Sequence, residues 1–183
     1  MAHIRKFFAT VFAGAFATTA AFAQVSDDQI AGLVDDWLNT YAADFTPIVH
    51  EFGAQCITAA FADLPDAARQ IVAAAGGIEN GLTALENNDA ATLDAFLPTL
   101  SQCVDTMYIG EQIVAWVDDY YVVANDEDKT DKTVCLLNAV YPLPTEAKQT
   151  IFAAPDFQAG IQEVMLNQPE AAINLDAVLK ACV

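Results

Sequence analysis

Residues 26–41 have the sequence SDDQIAGLVDDWLNTY, which follows the pattern of an amphipathic α-helix. Ser26 and Gln29 have the spacing of a capping box, in which each side chain satisfies a free backbone N–H at a helix start. From Ile30 to Tyr41 the apolar residues recur at i, i+3, i+4, i+7, i+8 and i+11, on one helical face. Because the alternation typical of strands is absent along the chain, the sequence predicts an all-α protein.

The same pattern returns 79 residues later, in DTMYIGEQIVAWVDDY at positions 105–120. A gapless alignment of residues 25–103 with residues 104–182 superimposes every Trp and Cys of these segments: Trp37 on Trp116, Cys56 on Cys135, and Cys103 on Cys182. Self-similarity at a fixed period indicates a duplication. We therefore predict two tandem helical units, 24–103 and 104–183, with about four or five helices each. No linker rich in Gly, Pro or Ser separates them, so they should pack together.

Proline residues divide each unit into helices. Thr46 followed by Pro47 predicts the start of the second helix, with Thr46 as its cap. Pro65 and Pro144 mark the start of the third helix in each unit, because proline suits the first helical turn and no later one. The last helix of the first unit is expected to run from about residue 89 to residue 103. The second unit then begins with a helix of its own.

Residues 1–23 have the features of a cleaved secretory signal peptide. Arg5 and Lys6 form a basic start, an uncharged apolar run follows, and small residues precede a cleavage point after Ala23. A membrane anchor is the alternative, but the run is short and polar residues follow at once. We expect a periplasmic or secreted protein without a stable membrane anchor.

Four cysteines in an exported chain predict two disulfides, and three pairings are possible. The duplication favours pairing within each unit, Cys56 with Cys103 and Cys135 with Cys182, because both pairs are 47 residues apart. A metal site is the alternative. The chain has no Cys-x-x-Cys, so we expect no metal ligands among these cysteines.

The charge of the chain is strongly negative. Residues 24–183 contain 25 acidic and five basic residues, a net charge of −20. Such a protein repels nucleic acid and would be attracted to a basic protein partner. The alternative is that the acidic residues only keep the protein soluble. Arg69 and Lys148 align in the two units and could hold an anion, but ordinary surface charge is the favoured interpretation.

Motifs that would identify an enzyme or a cofactor site are absent from the sequence, so no catalytic, cofactor-binding or metal-binding residue is predicted. His50, beside Glu51, is the sole histidine after residue 23 and would have to serve any histidine-based catalysis. Residues 125–131 resemble a calcium loop superficially. Asp131 occupies the position of the required glycine, and Leu137 that of the bidentate glutamate.

The two units differ most at residues 46–52, TPIVHEF, which align with NDEDKTD at residues 125–131. The apolar side chains of the first segment face acidic residues in the alignment, so these positions cannot be essential to both cores. The first segment either packs against the second unit, which we favour, or forms an exposed patch for a partner. The candidate interaction residues are Ile48, Val49, His50 and Phe52.

The sequence favours a non-enzymatic, exported binding protein with a basic protein as its candidate partner. A carrier of lipid or another small molecule is the alternative. It would require an apolar cavity between helices, lined by residues such as Phe61, Phe96 and Phe157. An enzyme built on His50 and a nearby carboxylate is the third class.

Overall fold

A computed structural model describes residues 25–120 and 125–182. The secondary structure of these residues is helical, which confirms the all-α prediction. The predicted signal peptide lies outside the described residues. The helices are α1 (Asp27–Tyr41), α2 (Pro47–Ala62), α3 (Asp66–Ala74), α4 (Ile78–Asn88), α5 (Ala90–Tyr120), α6 (Asp126–Val140), α7 (Thr145–Ala153), α8 (Phe157–Asn167) and α9 (Pro169–Cys182).

Helix α1 forms where the sequence predicts an amphipathic helix. The Ser26 side chain accepts a hydrogen bond from the backbone N–H of Gln29 at the helix start. Ile30, Val34 and Leu38 are buried, and the aspartates on the other faces remain exposed. The helix therefore follows from local capping and from burial of one face.

Helix α5 differs from the expectation of two separate helices around residue 103. It runs for 31 residues, about 46 Å, and the expected unit boundary between Cys103 and Val104 lies inside it. Residues 104–108 contain neither Gly nor Pro, so nothing ends the helix there. Pro98 is inside α5, and both Pro98 and Asp94 are exposed, so water can reach the Asp94 carbonyl that proline leaves without a donor.

Two hydrophobic clusters contain the buried apolar residues, and they divide within α5 between Met107 and Ile109. Buried residues from Ile30 to Met107 form the first cluster, and buried residues from Ile109 to Cys182 form the second. Helix α5 contributes to both, and it contacts α2 and α4 from the first half and α6, α7 and α8 from the second. Helix α5 therefore contributes buried side chains to both hydrophobic cores.

Two disulfides each join one pair of helices. Cys56 is bonded to Cys103, which joins α2 to α5, and Cys135 is bonded to Cys182, which joins α6 to α9. Structural disulfides are typical of proteins in an oxidising, extracellular environment. Among residues 25–120 and 125–182, no helix combines the length and the apolar character needed to cross a bilayer.

Candidate functional site

The segment singled out by the sequence lies between the two halves of the molecule. Val49 is fully buried, whereas Ile48, His50 and Phe52 are half-buried. Phe52 packs against both hydrophobic clusters, and its ring meets the ring of Tyr141 edge to face at 6.3 Å. Val49 and Phe52 therefore pack α2 against neighbouring helices, whereas Ile48 lines an open pocket beside α5 and α6.

A glycine on α5 permits this close approach. A Cβ at Gly110 would lie 2.9 Å from Cγ2 of Val49 and 3.0 Å from Cδ2 of Leu137. These distances are shorter than ordinary van der Waals contacts, so α2, α5 and α6 meet where α5 has no side chain.

The aligned segment of the second half is the start of α6. Asn125 accepts a hydrogen bond from the backbone N–H of Asp128 at 2.8 Å, and Asp126, Glu127 and Asp128 occupy the exposed first turn. Negative side chains stabilise a helix N-terminus, which accounts for this acidic run. Within the described part of the chain, no group of three potential metal-binding side chains comes together.

The start of α2 is fixed by a side chain from another helix. The sequence predicts Thr46 as the cap, but its hydroxyl makes no capping bond to α2. Instead, Oε1 of Glu111 on α5 accepts hydrogen bonds from the Thr46 N–H at 2.8 Å and from the Thr46 Oγ1 hydroxyl at 2.9 Å. Nothing near residue 46 in the sequence signals this contact, which spans 65 positions.

His50 is half-buried on α2. Its Nε2 atom is buried and has no hydrogen-bond partner. The neighbouring Glu51 is exposed and accepts a hydrogen bond from Gln55 at 3.2 Å. Among the described residues, no carboxylate is hydrogen-bonded to Nε2 of His50.

Lys148 is not a surface residue, contrary to the expectation from the sequence. Its side chain is only 1% exposed, and its Nζ donates to the Gln102 carbonyl oxygen at 3.2 Å and lies 5.3 Å from the centre of the Tyr141 ring. Burial lowers the pKa of Lys148 to about 8, although the charge of Asp105 opposes this shift. Burial also raises the pKa of Asp105, which the Lys148 charge and a hydrogen bond with Ser101 counteract.

Arg69, which aligns with Lys148, occupies a different environment. Its guanidinium is paired with Asp27 at 3.2 Å and with Asp66. The two aligned bases therefore have different environments: Arg69 forms ion pairs with carboxylates of its own half, whereas Lys148 is buried.

A cluster of aromatic side chains lies on the surface where the two halves meet. We call Phe45, Tyr108 and Phe152 the aromatic surface. They come from the α1–α2 loop, α5 and α7. The Tyr108 ring meets the Phe45 ring edge to face at 5.2 Å and the Phe152 ring at 5.8 Å. Tyr108 is 48% exposed and Phe152 is 55% exposed.

The polar surroundings of the aromatic surface are acidic. Asp44 precedes Phe45 and is exposed, while Asp105 and Glu111 lie three residues before and after Tyr108 on α5. The α1–α2 loop, α5 and α7 contain a single basic residue between them, Lys148, and it is buried. Sequence reasoning missed this surface because its three rings are far apart in the chain and share no periodicity.

The structure also contains an open apolar cavity, but not where the sequence suggested. Phe61, Phe96 and Phe157 are buried in the two clusters and are not among the residues that line this cavity. A cavity of about 490 Å³ lies instead between α6, the α6–α7 turn and α9. Its lining includes Cys135, Ala139, Pro142, Leu143, Pro144 and Leu175, with Glu170 and Asn138 as polar members.

Comparison with known proteins finds no matching protein family, no matching curated protein and no matching solved structure. A function for this chain therefore rests on its own residues and on their arrangement.

Proposed function

We propose that the protein is an exported, non-enzymatic binding protein whose partner is a basic polypeptide. The observation that carries this proposal is the state of its basic residues. Arg69 is paired with Asp27 and Asp66, Lys129 is paired with Asp118 at 2.9 Å, and Lys148 is buried. Nζ of Lys132 also donates to the Cys182 carbonyl oxygen at 3.4 Å, so bases of the described residues are already engaged within the molecule.

The acidic residues greatly outnumber the bases that could neutralise them. Residues 24–183 carry 25 acidic side chains, and exposed ones occur on both halves, for example Asp35, Asp63, Asp119 and Glu163. A surface potential of one sign raises the rate at which an oppositely charged protein associates. It also disfavours nucleic acids, whose phosphates need Lys and Arg contacts.

Export and duplication belong to the same proposal. The apolar run at residues 1–23 supports export, and the two disulfides fit an oxidising destination. A duplicated unit is supported by the equal spacing of the disulfides, 47 residues each, and by equal helix lengths. Helices α3 and α7 both have nine residues, and α4 and α8 both have 11.

A pull-down with a charge-matched control tests the proposed function. The protein is immobilised at neutral pH and exposed, at low salt, to proteins from the cell envelope and culture medium of its source organism. We expect a basic protein to be retained, to elute as salt is raised, and to pass through a column bearing an unrelated protein of equal net charge. Retention of the same proteins by the control column, or of none by either, would contradict the proposal.

The cavity between α6 and α9 supports a carrier as the second candidate. Its volume of about 490 Å³ is within the range of small-molecule sites, and its lining is mostly apolar. Native mass spectrometry of the protein purified from its source would show a bound apolar molecule. A Leu143→Asp variant should then lose that molecule, and a protein that carries none in either form would exclude the carrier.

A further inference from the structure

We infer that the aromatic surface is the docking site for a basic amphipathic segment of the partner polypeptide. This inference rests on the proposed function and deepens it, because it names the surface and the chemistry of the partner. The segment would place apolar side chains against the three rings and Lys or Arg side chains against the neighbouring carboxylates.

Tyr108 and Phe152 are about half exposed, Phe45 is half-buried, and the backbone beside Phe45 and Phe152 is hydrogen-bonded to α5. Phe45 precedes Thr46, whose N–H and hydroxyl are both bound by Glu111. The backbone at Phe152 is tied to α5, because its carbonyl oxygen accepts a hydrogen bond from Nε2 of Gln112 at 3.3 Å. A surface that is already ordered loses little conformational freedom on binding, and half-exposed aromatic side chains are enriched at protein interfaces.

Charge selects the occupant of this surface. Asp44 beside Phe45 is exposed, and half-buried Asp105 and Glu111 flank Tyr108. The sole base of the three contributing elements is buried Lys148, whose charge acts on Asp105. A second copy of the chain would bring a net charge of −20 after residue 23 and would be repelled. A cationic segment is attracted, and its Lys or Arg groups can also lie over the aromatic ring faces.

Peptide binding tests the inference directly. The probe is a fluorescent helical peptide of about 18 residues with Leu on one face and Lys and Arg on the other. A matched peptide has the same charges, with every Leu replaced by Ser. Anisotropy is measured at about 50 mM salt, where electrostatic attraction between exposed groups is weakly screened. We expect the wild-type protein to bind the Leu peptide at least about tenfold more tightly than the Ser peptide.

Matched variants locate the binding. Phe152→Ser should weaken binding of the Leu peptide by about tenfold or more, because it removes the ring of the aromatic surface that is most exposed, at 55%. Leu166→Ser removes an apolar side chain that is 82% exposed elsewhere, and it should stay within about twofold of wild type. Asp44 and Asp94 are both exposed, and replacing either with Asn removes a negative charge without altering the core. We expect Asp44→Asn, beside the aromatic surface, to weaken binding of the Leu peptide, and Asp94→Asn, the control, to leave it unchanged.

The possible results distinguish an error in the docking site from an error in the proposed function. Tight binding of the Leu peptide that survives Phe152→Ser and Asp44→Asn would reject the aromatic surface and leave the proposed function standing. Equal binding of the two peptides would reject the apolar part of the contact. Failure of both peptides to bind would overturn the docking site and the proposed basic partner together.

Discussion

The buried ammonium group of Lys148 should make the stability of the protein depend on pH in an unusual direction. Its Nζ has the Gln102 carbonyl oxygen at 3.2 Å and the Tyr141 ring at 5.3 Å, and these contacts only partly replace the water that it has lost. Burial consequently lowers the pKa of Lys148 from 10.5 to about 8. Replacing this lysine with methionine, Lys148→Met, keeps most of the packing and removes the charge.

The size of the effect follows from the pKa shift. Each pKa unit corresponds to about 1.4 kcal/mol, so the charged form of Lys148 costs the folded state about 3 kcal/mol. Below about pH 8 the folded and unfolded chains both hold the proton, and this cost is present in full. Between about pH 8 and 10.5 the unfolded chain still holds the proton and the folded chain does not, so the folded state gains stability as pH rises.

Urea unfolding at a series of pH values from about 7 to 10.5 measures the effect, with the disulfides intact. We expect Lys148→Met to be more stable than wild type at pH 7 by about 1–3 kcal/mol, because the removed cost is offset by the lost hydrogen bond and ring contact. The advantage should shrink steadily towards pH 10.5. Lys129→Met, which removes a lysine paired with Asp118 at the surface, corrects for the general loss of one positive charge.

The pH dependence of the stability difference between Lys148→Met and wild type tests this reasoning. If the stability difference between Lys148→Met and wild type stayed constant from pH 7 to 10.5, or widened with pH, Lys148 could not be a buried cation with a lowered pKa. A Lys129→Met profile that matched the Lys148→Met profile would also refute the reasoning, since burial distinguishes the two residues.

Three further predictions concern a close contact between helices, a disulfide and an interhelical hydrogen bond. In thermal unfolding, Gly160→Ala should lower the free energy of unfolding by about 1–3 kcal/mol, because its Cβ would lie 2.6 Å from the backbone of α7. Gly32→Ala has open space around its Cβ and should raise the free energy of unfolding by up to about 1 kcal/mol. Equal effects of the two variants would contradict the close approach of Gly160 to α7. The double variant Cys56→Ala/Cys103→Ala removes a disulfide between cysteines 47 positions apart, and its free energy of unfolding in urea should be about 4 kcal/mol lower than that of the wild type. A decrease below about 1 kcal/mol would argue against a structural disulfide. Glu111→Ala should cost about 1–2 kcal/mol through the two lost hydrogen bonds at the start of α2, and Glu111→Gln, which keeps an acceptor, should cost less; the reverse order would refute the interhelical cap.

Local signals in the sequence were sufficient for much of the helical plan. The Ser26 cap and the spacing of Ile30, Val34 and Leu38 describe α1 without any tertiary information. Pro65 and Pro144 stand immediately before α3 and α7, where their fixed φ suits a helix start. Capping, periodicity and proline geometry are properties of neighbouring residues, so they can be read along the chain.

Tertiary contacts produced the features that could not be predicted. The continuity of α5 through residue 103 was missed because the expectation of two units placed a boundary there, although no residue breaks the helix. The burial of Lys148 depends on the Gln102 carbonyl and the Tyr141 ring, 46 and seven positions away. The aromatic surface forms where the α1–α2 loop, α5 and α7 come together in the folded protein. Spacing along the sequence does not predict that these three segments are neighbours.

Chemical-shift mapping tests the central claim most directly, because it locates bound peptide on the unaltered protein. The isotope-labelled protein is titrated with the Leu-containing basic peptide, and the backbone amide signals are followed. We predict that the largest shifts fall together at residues 44–46, 105–112 and 149–152, which surround the aromatic surface. Shifts concentrated at the acidic start of α6, residues 125–131, or spread evenly over the exposed acids, would contradict a docking site built from Phe45, Tyr108 and Phe152.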